Sequence, residues 1–393
     1  MYVKRIIVIV LDGVGVGEAP DADIYGDVGS NSVANTARVL GGLNLPNLEK
    51  MGLGCVTEVI GVPCLSQTIG AYGKMQPQSA GKDTVSGHWA LMGIHLPNPF
   101  PVYRDGFPSE IIDTFIKRSG VEGILGNKVA SGTVIIQELG LKHMETGWPI
   151  VYTSADSVFQ IAAHEKVIPI ERLYELCEVA REILTGPHAV GRVIARPFLG
   201  DSPGSFWRTE RRRDYPLEPH SKTMMDKLVE ARKSVYTVGK IDDIFGGRGI
   251  SKSNHTVNNQ DSIHALLEFL GEDFEGLLFA NLIEFDMIYG HRNDPRGYGQ
   301  ALEQFDQAIP EIRQRMKKTD VVIITSDHGI DPTTPSTDHS RENIPLLVFG
   351  DPVAEGINLG IRSTYCDVAA TIAELFMLEP PETGNSFWNE VKR

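Results

Sequence analysis

The sequence predicts an α/β protein: a core built on a doubly wound, mostly parallel sheet, interrupted by an inserted α+β cap domain. Three observations predict it. Short, β-branched apolar runs at 6–11, 277–283 and 321–326 have the unbroken hydrophobicity of strands buried on both faces. Helical stripes separate them: Ile263, Leu266, Leu267 and Leu270 recur at i, i+3, i+4 and i+7, and Leu302, Phe305, Ile309, Ile312 and Met316 make a second stripe. From about residue 100 to 215 the segments are less sharply apolar, and proline-containing junctions bound them.

Taken in order, the strand at 6–11 ends in Asp12-Gly13-Val14-Gly15-Val16-Gly17. This is not a dinucleotide fingerprint: an Asp stands where backbone must approach pyrophosphate, and Pro20 and Asp21 interrupt the helix that should follow. It reads as an Asp presented on a turn at a strand end. Short helices are expected at 32–40 and 46–51. Next, Gly81-Lys82-Asp83-Thr84-Val85-Ser86-Gly87-His88-Trp89 leads into a helix expected at 86–92, with Thr84 near its N-terminus. Thr84 there is either an ordinary N-cap or a group at a helix end that favours anions. The glycine spacing of a Walker loop is missing. The inserted block, 100–215, is expected to hold strands at 150–152, 158–162 and 190–195 and helices at 133–139 and 170–184. The core then resumes with a helix at 222–231, a strand at 235–238, the strands and stripes above, a strand at 344–349, and a closing helix marked by Val368, Ile372 and Phe376. The core domain is therefore 1–99 plus 216–393.

Composition narrows the function. The 393 residues are 41% hydrophobic and 22% charged, with 40 glycines and 23 prolines, as suits a globular chain with many strand–loop–helix junctions. A net charge of −14 argues against general binding to nucleic acid or an anionic membrane, and means that an anionic substrate would need local cations or metals. No apolar run approaches the ~20 residues that span a bilayer. The apolar run at 6–11 meets Asp12 at once, so it reads as a strand rather than a signal peptide, and a cytoplasmic location is expected. Cys55, Cys64, Cys177 and Cys366 form no CxxC pair and stand apart from the His-rich loops, which predicts reduced, buried thiols.

Three of the separated strands are followed by an aspartate: Asp12, Asp286 and Asp327. Three histidines, His291, His328 and His339, lie in the loops just beyond. Three carboxylates at one edge of a parallel sheet repel unless cations sit among them. Three carboxylates and three imidazoles supply enough ligands for two metal ions with positions left open. Two divalent ions would leave the site with one positive charge, suited to an anion. A metal-free acid–base site is the alternative, and it does not need six ligands. A two-metal pocket beside Thr84 would suit phosphoryl transfer, because one ion can activate the hydroxyl and the other can hold the leaving oxygen.

The ordered set Asp12-Gly13, Lys82-Asp83-Thr84, Asp286…His291, Ser326-Asp327-His328-Gly329 and Thr337-Asp338-His339 resembles the alkaline phosphatase superfamily of metalloenzymes. Within it, LDGVGVGEAPDA, GKDTVSGHWALMG, TSADSVFQIAAHE, GRVIARPF, VGKIDDIF and SDHGIDPTTPSTDHSRE resemble segments of the phosphopentomutase family from the first strand to the last. The resemblance implies that Asp286, His291 and His339 bind one manganese ion and that Asp12, Asp327 and His328 bind the other, zinc or another divalent ion being possible. It implies that Thr84 is the phosphorylated residue, and that Ser154, Asp156, Arg192, Arg208 and Lys240 hold the sugar phosphate. The implied activity is that of an isomerase of nucleoside and pentose catabolism, exchanging ribose 1-phosphate or 2-deoxyribose 1-phosphate with the 5-phosphate. A phosphothreonine and a bisphosphate intermediate carry the reaction, and a sugar bisphosphate acts as activator. Arg211, Arg212 and Arg213 are expected at the surface. A metal-dependent phosphate-ester hydrolase needs the same core and is the nearer rival; a non-catalytic phosphosugar-binding protein would not need the threonine. The expected partners are small sugar phosphates, with neither nucleic acid nor membrane.

Overall fold

The computed structural model describes residues 2–154 and 156–393. It divides into two compact units, one of residues 1–99 and 219–393 and the other of residues 100–218.

The first unit is built on an eight-stranded sheet. Its strands are β1 (Arg5–Leu11) and β2 (Ala71–Met75), and, after the second unit's β3 (Leu125–Val129), β4 (Ile150–Thr153), β5 (Val158–His164), β6 (Arg192–Leu199), β7 (Trp207–Arg208) and β8 (Arg213–Pro216), the strands β9 (Ser234–Val238), β10 (Lys252–Asn254), β11 (Gly276–Leu282), β12 (Asp320–Thr325), β13 (Ile344–Phe349) and β14 (Ile357–Arg362). Their order is β10-β9-β11-β1-β12-β13-β2-β14. β1 lies at the centre, parallel to β11 on one side and β12 on the other, with Val8 opposite Phe279 and Ile323. Every residue of these three strands is buried. That is why their sequences are continuously apolar rather than alternating. Helices cover both faces. Ile7, Ile9, Leu278 and Ile324 pack with the stripes of the helices Asn259–Gly271 and Pro295–Arg315. On the other face Phe279 meets Phe245 and the ring of His88, which belongs to the helix Thr84–Leu91.

The sheet departs from a purely parallel one at β13, which runs antiparallel to both β12 and β2. β2 and β14 were not legible in the sequence, because AYGKM shows neither an apolar run nor an apolar–polar alternation and half of β14 is exposed.

The second unit carries its own sheet, β3-β4-β5-β6-β7, with β8 paired to β6. The helices Ser109–Ser119 and Ile170–Ile183 pack on one face and the helix Gly132–Thr146 on the other. This last helix is twice the expected length. Gly140 does not stop it; it packs against the Phe206 ring, and the chain turns only at Gly147, where φ is 73°. The strand expected at 190–195 begins at Arg192 and continues through Pro197.

The cysteines correct an expectation. Cys55 and Cys64 are bonded, with Cα atoms 4.4 Å apart, while Cys177 and Cys366 are free and buried as expected. The two bonded residues bracket a small loop whose Val56, Val59 and Val62 are buried, and this local fold, not any CxxC spacing, brings the sulfurs together. Among the described residues, no helix is long and apolar enough to cross a membrane.

Candidate metal centre

Because β11, β1 and β12 are adjacent and parallel, their carboxyl ends share one edge of the sheet. Asp12 follows β1 directly, and Asp327 stands two residues beyond β12. Asp286 lies in a π-helical turn, Phe285–Tyr289, followed by a 3-10 turn, Gly290–Arg292. Such wide turns re-aim side chains and recur at functional sites. Here the turn brings His291 Nε2 to 3.3 Å from Asp286 Oδ1. His339 Nε2 lies 3.1 Å from the same oxygen. His328 Nε2 is 3.4 Å from Asp12 Oδ1 and 3.3 Å from Asp327 Oδ2. The rings of His328 and His339 stack with centroids 3.9 Å apart. The structure thus brings all six residues to one place at the carboxyl edge of the sheet.

Each imidazole is aimed from behind. Nδ1 of His291 meets the Thr337 carbonyl at 2.7 Å, Nδ1 of His339 the Lys82 carbonyl at 2.8 Å, and Nδ1 of His328 the Gly329 carbonyl at 3.1 Å. A carbonyl can only accept, so Nδ1 carries the proton and the Nε2 lone pair faces the site, as a metal ligand requires. The acceptors there are unsatisfied. Asp12 Oδ1, Asp286 Oδ1, Asp327 Oδ2 and His339 Nε2 are buried and have no hydrogen-bond partner. Buried, unpaired acceptors of this kind are costly. Four such acceptors at one edge of the sheet suit divalent cations. Asp286, His291 and His339 form one group with metal-ligand spacing, and Asp12, Asp286 and His328 another.

Without metal, His328 and His291 are pushed toward the charged form by the neighbouring carboxylates. Burial alone would lower His328, but the carboxylates of Asp327, Asp12 and Asp286 outweigh it and hold it up at about 10. Burial and the neighbouring Asp327 charge raise Asp12. Asp327 goes the other way: burial is outweighed by His328 and His88, which hold it down at about 2. Asp286 is held well below the usual carboxylate range, burial being outweighed chiefly by His339 and His291.

Thr84 is not the helix cap. Asp83 is: its carboxylate accepts the Ser86 N–H at 3.0 Å. Thr84 is the first helical residue, and its Oγ1 lies 2.9 Å from His328 Nε2. The hydroxyl thus faces the metal ligands rather than its own backbone.

Two groups that the sequence reading passed over complete the centre. His88, fully buried, lies one helical turn beyond Thr84, with Nδ1 2.9 Å from the Thr84 carbonyl and 3.1 Å from Asp327 Oδ2. The spacing of four residues within GKDTVSGHW could have flagged it. Glu342 is buried and accepts from Gly17 N, Ser32 N, Ser32 Oγ and Ser340 Oγ; burial pushes it up to about 7 against the pull of these donors. A Cβ at Gly15 would lie 2.1 Å from Glu342 Oε2, so the second glycine of DGVGVG makes room for this carboxyl rather than for pyrophosphate.

A family model for the metalloenzyme superfamily matches residues 4–380. A phosphopentomutase of Herpetosiphon aurantiacus is 64% identical over 392 residues, all of both chains. The chain belongs to the phosphopentomutase family. Another family member, from Carboxydothermus hydrogenoformans, is 57% identical over 99% of this chain and 100% of its own. Among solved structures, a phosphoglycerate mutase of Leishmania mexicana shares the fold at a TM-score of 0.51 and 12% identity, over 98% of this chain and 97% of its own.

The remaining residues expected from the phosphopentomutase resemblance fall in both units. Lys240 is half-buried, two residues past β9, at the same sheet edge as the metal ligands. The other four belong to the second unit. Ser154 Oγ accepts the Asp156 N–H at 3.3 Å. Arg192 lies 3.5 Å from Asp214, which Arg212 grips bidentately at 2.6 Å. Arg208 lines an open cavity of about 270 Å³ together with Arg196, Pro197, Thr209 and Arg212. The buried Tyr152 hydroxyl, without a hydrogen-bond partner, lies near the same arginines. Arg211 and Arg213 are exposed, as expected; so is Arg212, but it also lines this cavity.

Proposed function

We propose that the chain is a two-metal phosphopentomutase, interconverting ribose 1-phosphate or 2-deoxyribose 1-phosphate with the corresponding 5-phosphate through a phosphorylated Thr84. One observation carries the reading: the Thr84 hydroxyl lies 2.9 Å from His328 Nε2, which in turn lies 3.4 Å from Asp12 Oδ1 and 3.3 Å from Asp327 Oδ2, two buried oxygens without a hydrogen-bond partner. Asp286, His291 and His339 would hold one divalent ion, and Asp12, Asp327 and His328 the other. Manganese is the expected ion, and the imidazoles also suit zinc. Two such ions would lower the pKa of the hydroxyl and neutralise charge on the phosphoryl group in flight.

The chain itself supplies the nucleophile and its orientation. Thr84 stands at the N-terminus of the helix Thr84–Leu91, whose dipole favours a phosphate. Phosphothreonine gives its phosphoryl group to the free hydroxyl of a pentose monophosphate: the bond from phosphorus to the Thr84 oxygen breaks, a bond to the sugar oxygen forms, and the sugar's hydroxyl proton leaves as the Thr84 oxygen regains one. The bisphosphate turns round, and Thr84 takes the other phosphoryl group in return. A sugar bisphosphate would prime an unphosphorylated Thr84 in the same way.

In this reading the inserted domain, 100–215 by sequence and 100–218 in the structure, binds the sugar phosphate. Ser154 and Asp156 suit sugar hydroxyls, and Arg192, Arg208 and Lys240 suit phosphate. Arg196 and Arg212 extend the cationic patch around Arg208. This reading puts the protein in cytoplasmic nucleoside and pentose breakdown. Phosphorus NMR of the protein with ribose 1-phosphate and manganese tests it. The expected product is the 5-phosphate; accumulation of inorganic phosphate instead would identify a hydrolase.

A further inference from the structure

Behind the six metal-facing residues lies a strap of buried polar side chains that ties two of them to the nucleophile's helix. Its members are His88 and Asn281, both fully buried. Gly87 is the point of closest approach between the helix Thr84–Leu91 and the end of β12: a Cβ there would lie 2.0 Å from the Asp327 carbonyl oxygen. This approach lays the next residue, His88, against the Asp327 carboxylate.

The proton positions follow from the partners. His88 Nδ1 faces two acceptors, the Thr84 carbonyl and Asp327 Oδ2, so it carries the proton. Its Nε2 lies 2.9 Å from the Asn281 amide nitrogen. The same nitrogen lies 3.0 Å from Asp12 Oδ2, which can only accept. Both amide hydrogens are therefore used, one on Asp12 and one on His88 Nε2. The strap runs from Asp12 through Asn281 and His88 to Asp327 and the Thr84 carbonyl. The side chains of Asp286, His291 and His339 are not among its partners.

We propose that His88 and Asn281 are positioning residues that set the affinity of one metal ion only, the one held by Asp12, Asp327 and His328, and that they couple this ion to the backbone of Thr84. The inference rests on the two-ion reading above. Asp12 gives Oδ2 to the strap and turns Oδ1, which has no partner, toward the site. Asp327 Oδ1 accepts the Gly13 N–H, and its Oδ2, 3.1 Å from His88 Nδ1 and 3.3 Å from His328 Nε2, is the oxygen that faces the site. Groups that orient a ligand from behind in this way are worth about 10–100-fold in metal affinity. The strap is thus specific to one half of a centre whose other half is aimed by the carbonyls of Thr337 and Lys82.

The test is a titration of metal-free, full-length protein with Mn²⁺, following free ion by electron paramagnetic resonance. Wild type should bind two ions. Asn281→Leu and His88→Ala should weaken one by about 10–100-fold and leave the other within about threefold. His88→Asn, whose amide can donate from near the Nδ1 position, should recover part of the loss. His291→Ala should weaken the other ion. Unfolding in chelator reports whether each variant folds, and Asn281→Leu and His88→Asn carry the test where His88→Ala does not. Equal weakening of both ions, or no weakening of either, overturns the strap. Wild type binding fewer than two ions overturns the two-ion reading instead.

Discussion

The two ends of the central strands handle buried charge in opposite ways. At the amino end, Arg5 of β1 meets Asp320 of β12, with Nε 2.9 Å and Nη2 2.5 Å from the two carboxylate oxygens. Its remaining donor reaches the carbonyls of Leu270 and Glu272, each at 2.9 Å. Both side chains are wholly buried and wholly paired. At the carboxyl end, the same two strands lead to Asp12 and Asp327, each with a buried oxygen that nothing satisfies. The sequence distance along β1 is only seven residues, from Arg5 to Asp12. One end is closed by a cation of the chain's own; the other is left for cations from outside. A charge completed internally contributes to the fold, and a charge left incomplete marks the site.

The sharpest way to break this comparison is at the open end. Thr84→Ala should leave the fold intact and lower phosphoryl transfer by roughly a thousandfold or more. Intact-mass analysis after incubation with a sugar bisphosphate should find one added phosphate on wild type and none on the variant. Full activity in Thr84→Ala would remove the threonine from the mechanism.

At the closed end, Asp320→Ala strands Arg5 in the core and should cost about 3–5 kcal/mol in urea unfolding. The double change Arg5→Met with Asp320→Leu should cost much less. If the single change is the milder of the two, the pair is not the internally completed unit described here.

The same experiment at the open end should change sign. Burial and Asp327 make an ionised Asp12 unfavourable in the metal-free protein. Asp12→Asn should therefore stabilise that protein near neutral pH by about 0.5–2 kcal/mol while weakening Mn²⁺ binding. Several groups at this end hold protons more tightly folded than unfolded: Asp12, Glu342 at about 7, His88, His291, and His328 at about 10. Such groups stabilise the fold while protonated, so metal-free stability should fall as pH rises, first above the ordinary carboxylate range and again between about 6.5 and 10. Asp327, held at about 2, pulls the other way only on acidification below about 4. Saturating Mn²⁺ should flatten the alkaline fall and release protons as it binds. Unfolding midpoints across pH, with chelator and with metal, check this. A metal-free midpoint that rises through the alkaline range would contradict it.

The smallest effect lies far from either charge group. Cys55 and Cys64 close a loop nine residues apart, so Cys64→Ser should cost no more than about 2–3 kcal/mol, with metal binding unchanged.

The sequence by itself determined the parts of this protein that follow from local pattern. Buried strands announce themselves as unbroken apolar runs, and residues just past such runs lie at an edge, so Asp12, Asp327 and His328 could be read as a site before any fold was known. The spacing of His291 from Asp286 was legible for the same reason, while the helix expected at 86–92 in fact begins at Thr84. Tertiary structure decided what depends on pairing between distant segments. Only the strand order makes β11, β1 and β12 neighbours and so brings three aspartates together. Only packing puts Gly87 against Asp327, which turns His88 from an ordinary helical residue into a partner of a metal-facing carboxylate. Glu342 explains a glycine more than three hundred residues earlier, and Cys64 finds Cys55 through a loop with no motif spacing. Periodicity carries information over one or two turns of chain; contacts between segments far apart in sequence are fixed by the shape of the whole core, and no local pattern encodes them.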